Sequence, residues 1–290
     1  RRSSRIASAH QLRVKIPITK SSRVVFAGDP FQLPPTVKSQ EAARNGLSKT
    51  LIEKAIERFP ATALLTTQYR MHRAIMGFSN DYFYGGKLAA HPSVADRVLD
   101  GWAPVTFIDT AGCGFEERSA PSIGNRAGSR FNPEEFLLIR EHYLKLMNFF
   151  LEIPAVSFEA KGPDFSLEQA PPELPSVAII SPYREQVVHI EQAIHEDPIL
   201  KDKPLKISTI DGFQGQERDV VYISLVRSNL KNEIGFLTDY RRMNVAMTRA
   251  KKMLVVVGDS GTIGANKFYK AFLDYCETVG NYQTAWEYIQ

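Results

Sequence analysis

ISTIDGFQGQERDVVYISLVRSNLKNEIGFLTDYRRMNVAMTRAKKMLVVVG, residues 207–258, decides the fold. Three short apolar runs, Ile207–Thr209, Val220–Leu225 and Met253–Gly258, read as buried strands, and Tyr240–Ala250 reads as a helix. Short apolar strands that alternate with helices are the pattern of an α/β domain with a mainly parallel sheet, covered on both faces. Working outward, Val177–Ser181 is a further strand, Glu185–His195 a helix, and Phe268, Ala271, Phe272, Tyr275 and Val279 mark one face of a final helix.

Upstream, Val105–Asp109 is a strand. Asn132, followed by Pro133, Glu134 and Glu135, reads as the capped start of a helix running to about Phe150. The segment 71–83 is helical in pattern, and so is Glu41–Phe59, which Pro60 stops. Arg23–Ala27 (RVVFA) reads as a buried strand that ends at the turn Gly28–Asp29–Pro30, and Ala63–Leu65 is a short apolar run. Gly112–Asn132 reads as a surface loop, and 153–175, rich in Pro and acidic residues, as a linker or insertion.

Composition excludes several classes. No run of about 18 apolar residues is present, so no membrane span is expected, and no secretion signal opens the chain. Cys113 and Cys276 are far apart, without metal-ligand spacing; a reduced cytoplasmic or nuclear setting fits, with a single disulfide left open. The net charge of +4 neither demands nor opposes a polyanion partner, but residues 1–23 hold seven Lys or Arg and no acid. GxSxG, HExxH, GxGxxG and GxxxxGK[ST] patterns are all absent from the sequence.

Four constellations remain. Gly28–Pro35 (GDPFQLPP) presents a carboxylate, Asp29, and an amide, Gln32, on a turn stiffened by prolines; a plain strand-ending turn reads as well. Gln68–His72 (QYRMH) sets Arg70 beside Tyr69, a fork able to grip phosphate or to make an ordinary ion pair; His72 reads as a satisfied polar partner. Thr209–Glu217 (TIDGFQGQE) places Gly212 and Gly215 where backbone can approach a ligand, with Glu217 able to accept from a ribose hydroxyl. Tyr240–Lys252 puts Arg242, Val245, Ala246 and Arg249 at i, i+3, i+4 and i+7, two arginines on an apolar stripe. A buried guanidinium needs an anion, supplied either by a bound triphosphate or by structural carboxylates.

Taken in order, these blocks resemble the Upf1-like group of superfamily 1 helicases, within it the immunoglobulin mu-binding protein 2 type. VVFAGDPFQLPPTV (24–37) resembles motif III, and TTQYRMHRAIMGFSNDYFYGGKL (66–88) the arginine block that follows it. VAIISPYREQV (177–187) resembles motif IV, ISTIDGFQGQERDVVYISLVRSN (207–229) motif V, and GFLTDYRRMNVAMTRAKK (235–252) motif VI. The likeness covers about residues 23–290.

The resemblance implies a RecA-like fold, ATP and Mg²⁺ as ligands of the intact parent, and single-stranded DNA or RNA as partner, tracked 5′ to 3′ by a monomer. It implies that Gln32, Arg70 and Arg249 serve catalysis. Asp29, Tyr69, Gly215, Glu217 and Arg242 would hold nucleotide, and Ser181, Pro182, Tyr183 and Thr209 would lie near the strand. The expected organisation is a basic leader or remnant over 1–22, the end of the first motor domain over 23–59, and a second motor domain over 60–290 with irregular insertions near 110–132 and 153–176. The family's phosphate-binding loop and acidic Mg²⁺ box have no counterpart here: residues 1–22 hold no Asp or Glu. The chain is therefore expected to be inactive alone, either as a fragment of a helicase or as a non-catalytic binding paralogue.

Overall fold

The computed structural model describes residues 20–34, 41, 49–121, 129–152 and 174–289. The chain divides into two compact units, residues 1–66 and 67–290.

In the first unit, helix α1 (Leu51–Arg58) begins at Thr50, whose hydroxyl accepts from the Glu53 N–H while the Glu53 carboxylate accepts from the Thr50 N–H. This reciprocal capping satisfies donors that the first turn leaves over. The helix expected over Glu41–Phe59 is not continuous: Glu41 is helical, but Thr50 is extended and starts a new helix at Leu51, residues 42–48 lying outside the described residues. Arg23–Ala27 is not a strand: no described strand pairs with it, and Val25 is 88% exposed. An apolar run becomes a strand only when a neighbour completes its hydrogen-bond ladder. Leu65 is likewise exposed.

The second unit runs β1 (Thr67–Gln68), α2 (Arg73–Tyr84), β2 (Ala89–Ala90), α3 (Pro92–Ala95), β3 (Val105–Asp109), β4 (Arg118–Ser119), β5 (Arg130–Phe131) and α4 (Pro133–Glu152). It continues β6 (Val177–Ser181), α5 (Arg184–Glu196), β7 (Leu205–Thr209), β8 (Arg218–Ser224), α6 (Tyr240–Met247), β9 (Ala250–Gly258), α7 (Ser260–Ile263), α8 (Lys267–Thr278) and β10 (Asn281–Thr284). Six strands form one sheet in the order β10-β3-β9-β8-β6-β7, and every neighbouring pair is parallel.

The pleat sends alternate residues of each strand to opposite faces. Ile108, Ile179, Tyr222, Val255 and Val257 join Phe136, Ile139, Leu146 and Ile190 of α4 and α5 in one core cluster. On the other face the Phe107 ring meets Phe272 of α8, and Phe78 of α2 packs edge-on against Phe268 and Phe272. The buried stripe of α8 is Phe268, Phe272 and Cys276 with Tyr269 and Leu273, whereas Val279, expected on that face, is 52% exposed beyond the helix end.

Three expectations are corrected. The expected surface loop 112–132 contains the antiparallel β4–β5 ladder, and its Glu117 is buried in an ion pair with Arg227 (2.6 Å). Asn132 precedes α4 as expected, but its side chain turns away: its amide donates to the carbonyls of Phe115 and Val226, and its N–H donates to Gln186. Helix α6 stops at Met247, where the Arg249 N–H already tightens to the Ala246 carbonyl (3.2 Å) and β9 starts at Ala250; the Thr248 hydroxyl bonds back to the carbonyls of Asn244 (2.7 Å) and Val245 (3.2 Å).

Candidate functional site

Brief apolar runs place the strands, and the strands place the site. Glu217 immediately precedes β8, Arg249 immediately precedes β9, and the Arg218 N–H donates to the Arg249 carbonyl (3.1 Å), so both lie at the amino edge of the sheet. Arg70 reaches the same edge from the turn after β1. The Gln68 side chain builds that turn, accepting from the N–H groups of Arg70 and Met71 (both 2.8 Å) and donating to the Met71 carbonyl. The His72 N–H donates to the Lys251 carbonyl at 2.8 Å, which docks the turn on β9. His72 itself caps α2 through Nδ1, and burial lowers its pKa, in line with the polar-partner reading.

In open parallel sheets functional groups usually sit beyond the carboxyl ends of the strands; here Ser181–Tyr183 and Thr209 do, whereas Arg70, Glu217 and Arg249 lie at the amino edge. Within motif V, the TIDGFQGQE segment begins at Thr209, at the carboxyl end of β7, and ends at Glu217, at the amino end of β8. It therefore crosses the height of the sheet, with Phe213 fully buried midway. Gly215 takes φ +84°, with open space where a Cβ would sit.

Arg70 Nε donates to Glu217 Oε2 at 2.6 Å, and Nη1 donates to the Thr248 carbonyl at 3.1 Å. Arg249 is only 4% exposed. Its Nε donates to the Val245 carbonyl (2.9 Å), and its Nη atoms reach the Gln216 carbonyl (3.5 Å) and the Thr248 hydroxyl (3.4 Å). The two guanidinium groups thus converge on Thr248 and on the Gln216–Glu217 segment, but among the described residues only Arg70 has a carboxylate at ion-pair distance. Burial, then the charge of Arg70, lowers Arg249 to about 10, so it stays cationic at neutral pH. Burial would raise Glu217, but the hydrogen bond and charge of Arg70, aided by Lys251 at 3.6 Å, hold it below the usual carboxylate range.

Tyr69 is 65% exposed and stacks one face on the His91 ring (centroids 4.4 Å apart, 28° between planes). Arg242 is not part of the cluster. It faces Asp211 (3.5 Å) and Asp239 (3.4 Å) at the start of α6, seven residues before Arg249. Asp29 and Gln32 belong to the first unit, where Gln32 Nε2 donates to Asp29 Oδ2 at 3.0 Å and the Phe31 N–H to Oδ1 at 2.9 Å.

At the opposite edge, Ser181 and Tyr183 are buried; the Tyr183 N–H donates to Ser181 Oγ (3.3 Å), and Tyr183 opens α5 with no side-chain cap. Thr209 Oγ1 accepts from the Gly212 N–H at 3.2 Å, and Pro182 is half-buried. Among the described residues no group of three or more His, Cys, Asp or Glu could hold a metal ion. Thr248, Lys251 and His91 were not singled out from the sequence. Thr248 is signalled by the TR step ahead of an apolar run; the other two carry no local signal.

The six-stranded parallel sheet is that of a RecA-like fold, and the AAA domain family model matches residues 47–261. DNA-binding protein SMUBP-2 of Mesocricetus auratus is 36% identical over 98% of this chain and 27% of its own length. DNA polymerase alpha-associated DNA helicase A of Saccharomyces cerevisiae is 37% identical over 88% of the chain and 37% of its own. An uncharacterized ATP-dependent helicase of Methanocaldococcus jannaschii is 33% identical over 91% of the chain and 36% of its own. The chain belongs to the AAA domain family and, within it, to the Upf1-like superfamily 1 helicases of the SMUBP-2 type. It spans about a quarter to a third of the length of these relatives.

Proposed function

We propose that residues 67–290 form the second motor domain of an ATP-dependent helicase or translocase that moves 5′ to 3′ along single-stranded DNA or RNA. One observation carries the reading: a buried guanidinium, Arg249, with no carboxylate at ion-pair distance among the described residues, converges with Arg70 on one edge of the sheet. An unmatched buried charge is costly unless an anion completes it.

The terminal phosphate of ATP would be that anion. Phosphoryl transfer is accelerated mainly by positioning and by fixed charge at the transferring group. Arg249 is held by hydrogen bonds to Val245 and Thr248 of its own turn and to the Gln216 carbonyl of the β7–β8 connection, which makes it a preorganised finger. Arg70 rests on Glu217. Glu217 accepting from the ribose would release Arg70 toward phosphate, while Gly215 leaves room for close backbone approach. Tyr69 would cover the base with its free face; Gln32 and Asp29, in the first unit, keep the catalytic and nucleotide-holding roles that the family resemblance implies. Arg242 then supports the site from the start of α6 rather than by touching phosphate. Mg²⁺ would be held by residues outside this domain. At the other edge, Pro182, Thr209 and the backbone around Ser181 and Tyr183 would meet the strand, making binding salt-dependent and weakly sequence-selective.

The test is strand-stimulated ATP hydrolysis by the complete helicase. Arg249→Lys is expected to lower turnover by about 10³-fold, as loss of an arginine finger does, with single-strand affinity within about twofold. Turnover within about threefold of the parent would overturn the assignment.

A further inference from the structure

We propose that Phe236 is a base-stacking platform beside the strand-binding edge, a reading that rests on the nucleic-acid role above. Ser181 and Tyr183 match strand-contact positions, yet both side chains are buried and offer a base nothing to stack on. Phe236 lies against Tyr183 (ring centroids 5.6 Å apart, 48° between planes) and is 60% exposed.

A lone exposed phenylalanine is ordinary. What distinguishes this one is the support beneath it. Phe236 sits on a single 3₁₀ turn, Gly235–Thr238, entered through Gly235 at φ +53°. A Cβ on Gly235 would lie 2.1 Å from Arg227 Nη1 and 2.9 Å from the Tyr183 hydroxyl, so the turn is pressed onto those two groups. Arg227 is in turn fixed by the buried ion pair to Glu117. Asn229 locks the approach: its amide donates to Glu117 and to the Glu233 carbonyl, and its oxygen accepts from the N–H groups of Lys231 and Glu233. The ring is therefore held out by a preorganised loop, and little ordering entropy remains to be lost on binding.

The chemistry around it suits a nucleotide. Arg184, directly after Tyr183, and Lys231, in the loop that leads to Gly235, are both exposed and would supply cations for the phosphates of a bound strand. Aromatic stacking combined with backbone-tracking cations is the usual device for gripping single strands without reading sequence.

The test uses the 290-residue chain and fluorescence anisotropy with two labelled oligonucleotides of equal length, one of thymidines and one of abasic sites. Phe236→Ala is expected to weaken thymidine-strand binding roughly tenfold and to leave abasic-strand binding unchanged, and Phe236→Trp is expected to restore the loss. Equal affinity of the Ala variant and the wild type for the thymidine strand overturns the platform and leaves the domain reading intact; that result is also expected if the ring serves a protein partner. Equal losses on both strands overturn it as well. If the wild-type chain binds neither strand, the strand-binding reading and the platform fail together.

Discussion

Glu135 shows how one side chain can set a pH dependence from inside the core. It is fully buried below the end of β8, accepting from the Ser224 hydroxyl and from the N–H of Val226, whose φ of 72° is rare outside glycine. Burial outweighs those hydrogen bonds and raises its pKa to about 8, from 4.5. The folded state then holds a proton that the unfolded state has released, so stability is greatest below the unfolded pKa and declines as pH rises toward the folded one. Urea unfolding of the wild type between pH 5 and pH 8 is expected to show falling stability, by up to about 1.4 kcal/mol per pH unit from this group. Glu135→Gln is expected to flatten that slope, and an unchanged slope would exclude Glu135 as its source. Arg249 differs in kind: at about 10 its pKa leaves it charged across this window, so its replacement is expected to alter hydrolysis without altering the pH profile of folding.

The connection from β7 to β8 is the element that joins the two candidate edges, and Phe213 is its pin. The ring is fully buried, with the Arg218 guanidinium 5.7 Å from its centroid, while Glu217 at the far end holds Arg70. Phe213→Ala is expected to cost about 3–5 kcal/mol of stability. In the complete helicase it is also expected to weaken nucleotide binding, because the loop that carries Gly215 and Glu217 loses its anchor; denaturant titration and nucleotide titration separate the two effects. At this scale the sequence was informative where burial was two-sided. VAIIS, VVYISL and MLVVVG are continuous apolar runs because helices cover both faces of their strands. β10 (NYQT) carries no such run, since it is an edge strand and none of its residues is fully buried, so it escaped notice. RVVFA had the composition of a strand without a described pairing partner. The arginine cluster was legible as residue types but not as an arrangement. Arg70 and Glu217 lie 147 residues apart, and only the folded sheet shows that they meet at its amino edge while Arg242 stays with Asp211 and Asp239. Period alone put Arg242 and Arg249 on one helical face, but the helix ends at Met247, two residues before Arg249.

For the molecule as a whole, the division at residues 66 and 67 has an energetic meaning. The large core cluster lies wholly within 99–288, and its members span the sheet from β3 through β9 and β8 to β6. In the first unit, α1 buries none of its residues, so its local stability comes from its capping box and not from packing. A segment with few buried contacts opens at low free energy, whereas a two-sided core unfolds cooperatively. Residues 67–290 produced alone are therefore expected to unfold in a single calorimetric transition within a few degrees of the full chain. Loss of near-ultraviolet circular dichroism on removing residues 1–66 would show that the first unit is needed for the core. The same division bears on activity. With Arg70 and Arg249 approaching phosphate from one side, the proposed site needs a second surface to hold the β- and γ-phosphates and the metal. The 290-residue chain is thus expected to show negligible strand-stimulated ATP hydrolysis alone, and the complete helicase to show robust hydrolysis that Arg70→Ala and Arg249→Lys each suppress. Rapid turnover by the chain alone, abolished by Arg249→Lys, would mean that the second phosphate-holding surface lies within these residues, and the two-domain account of the site would have to be abandoned.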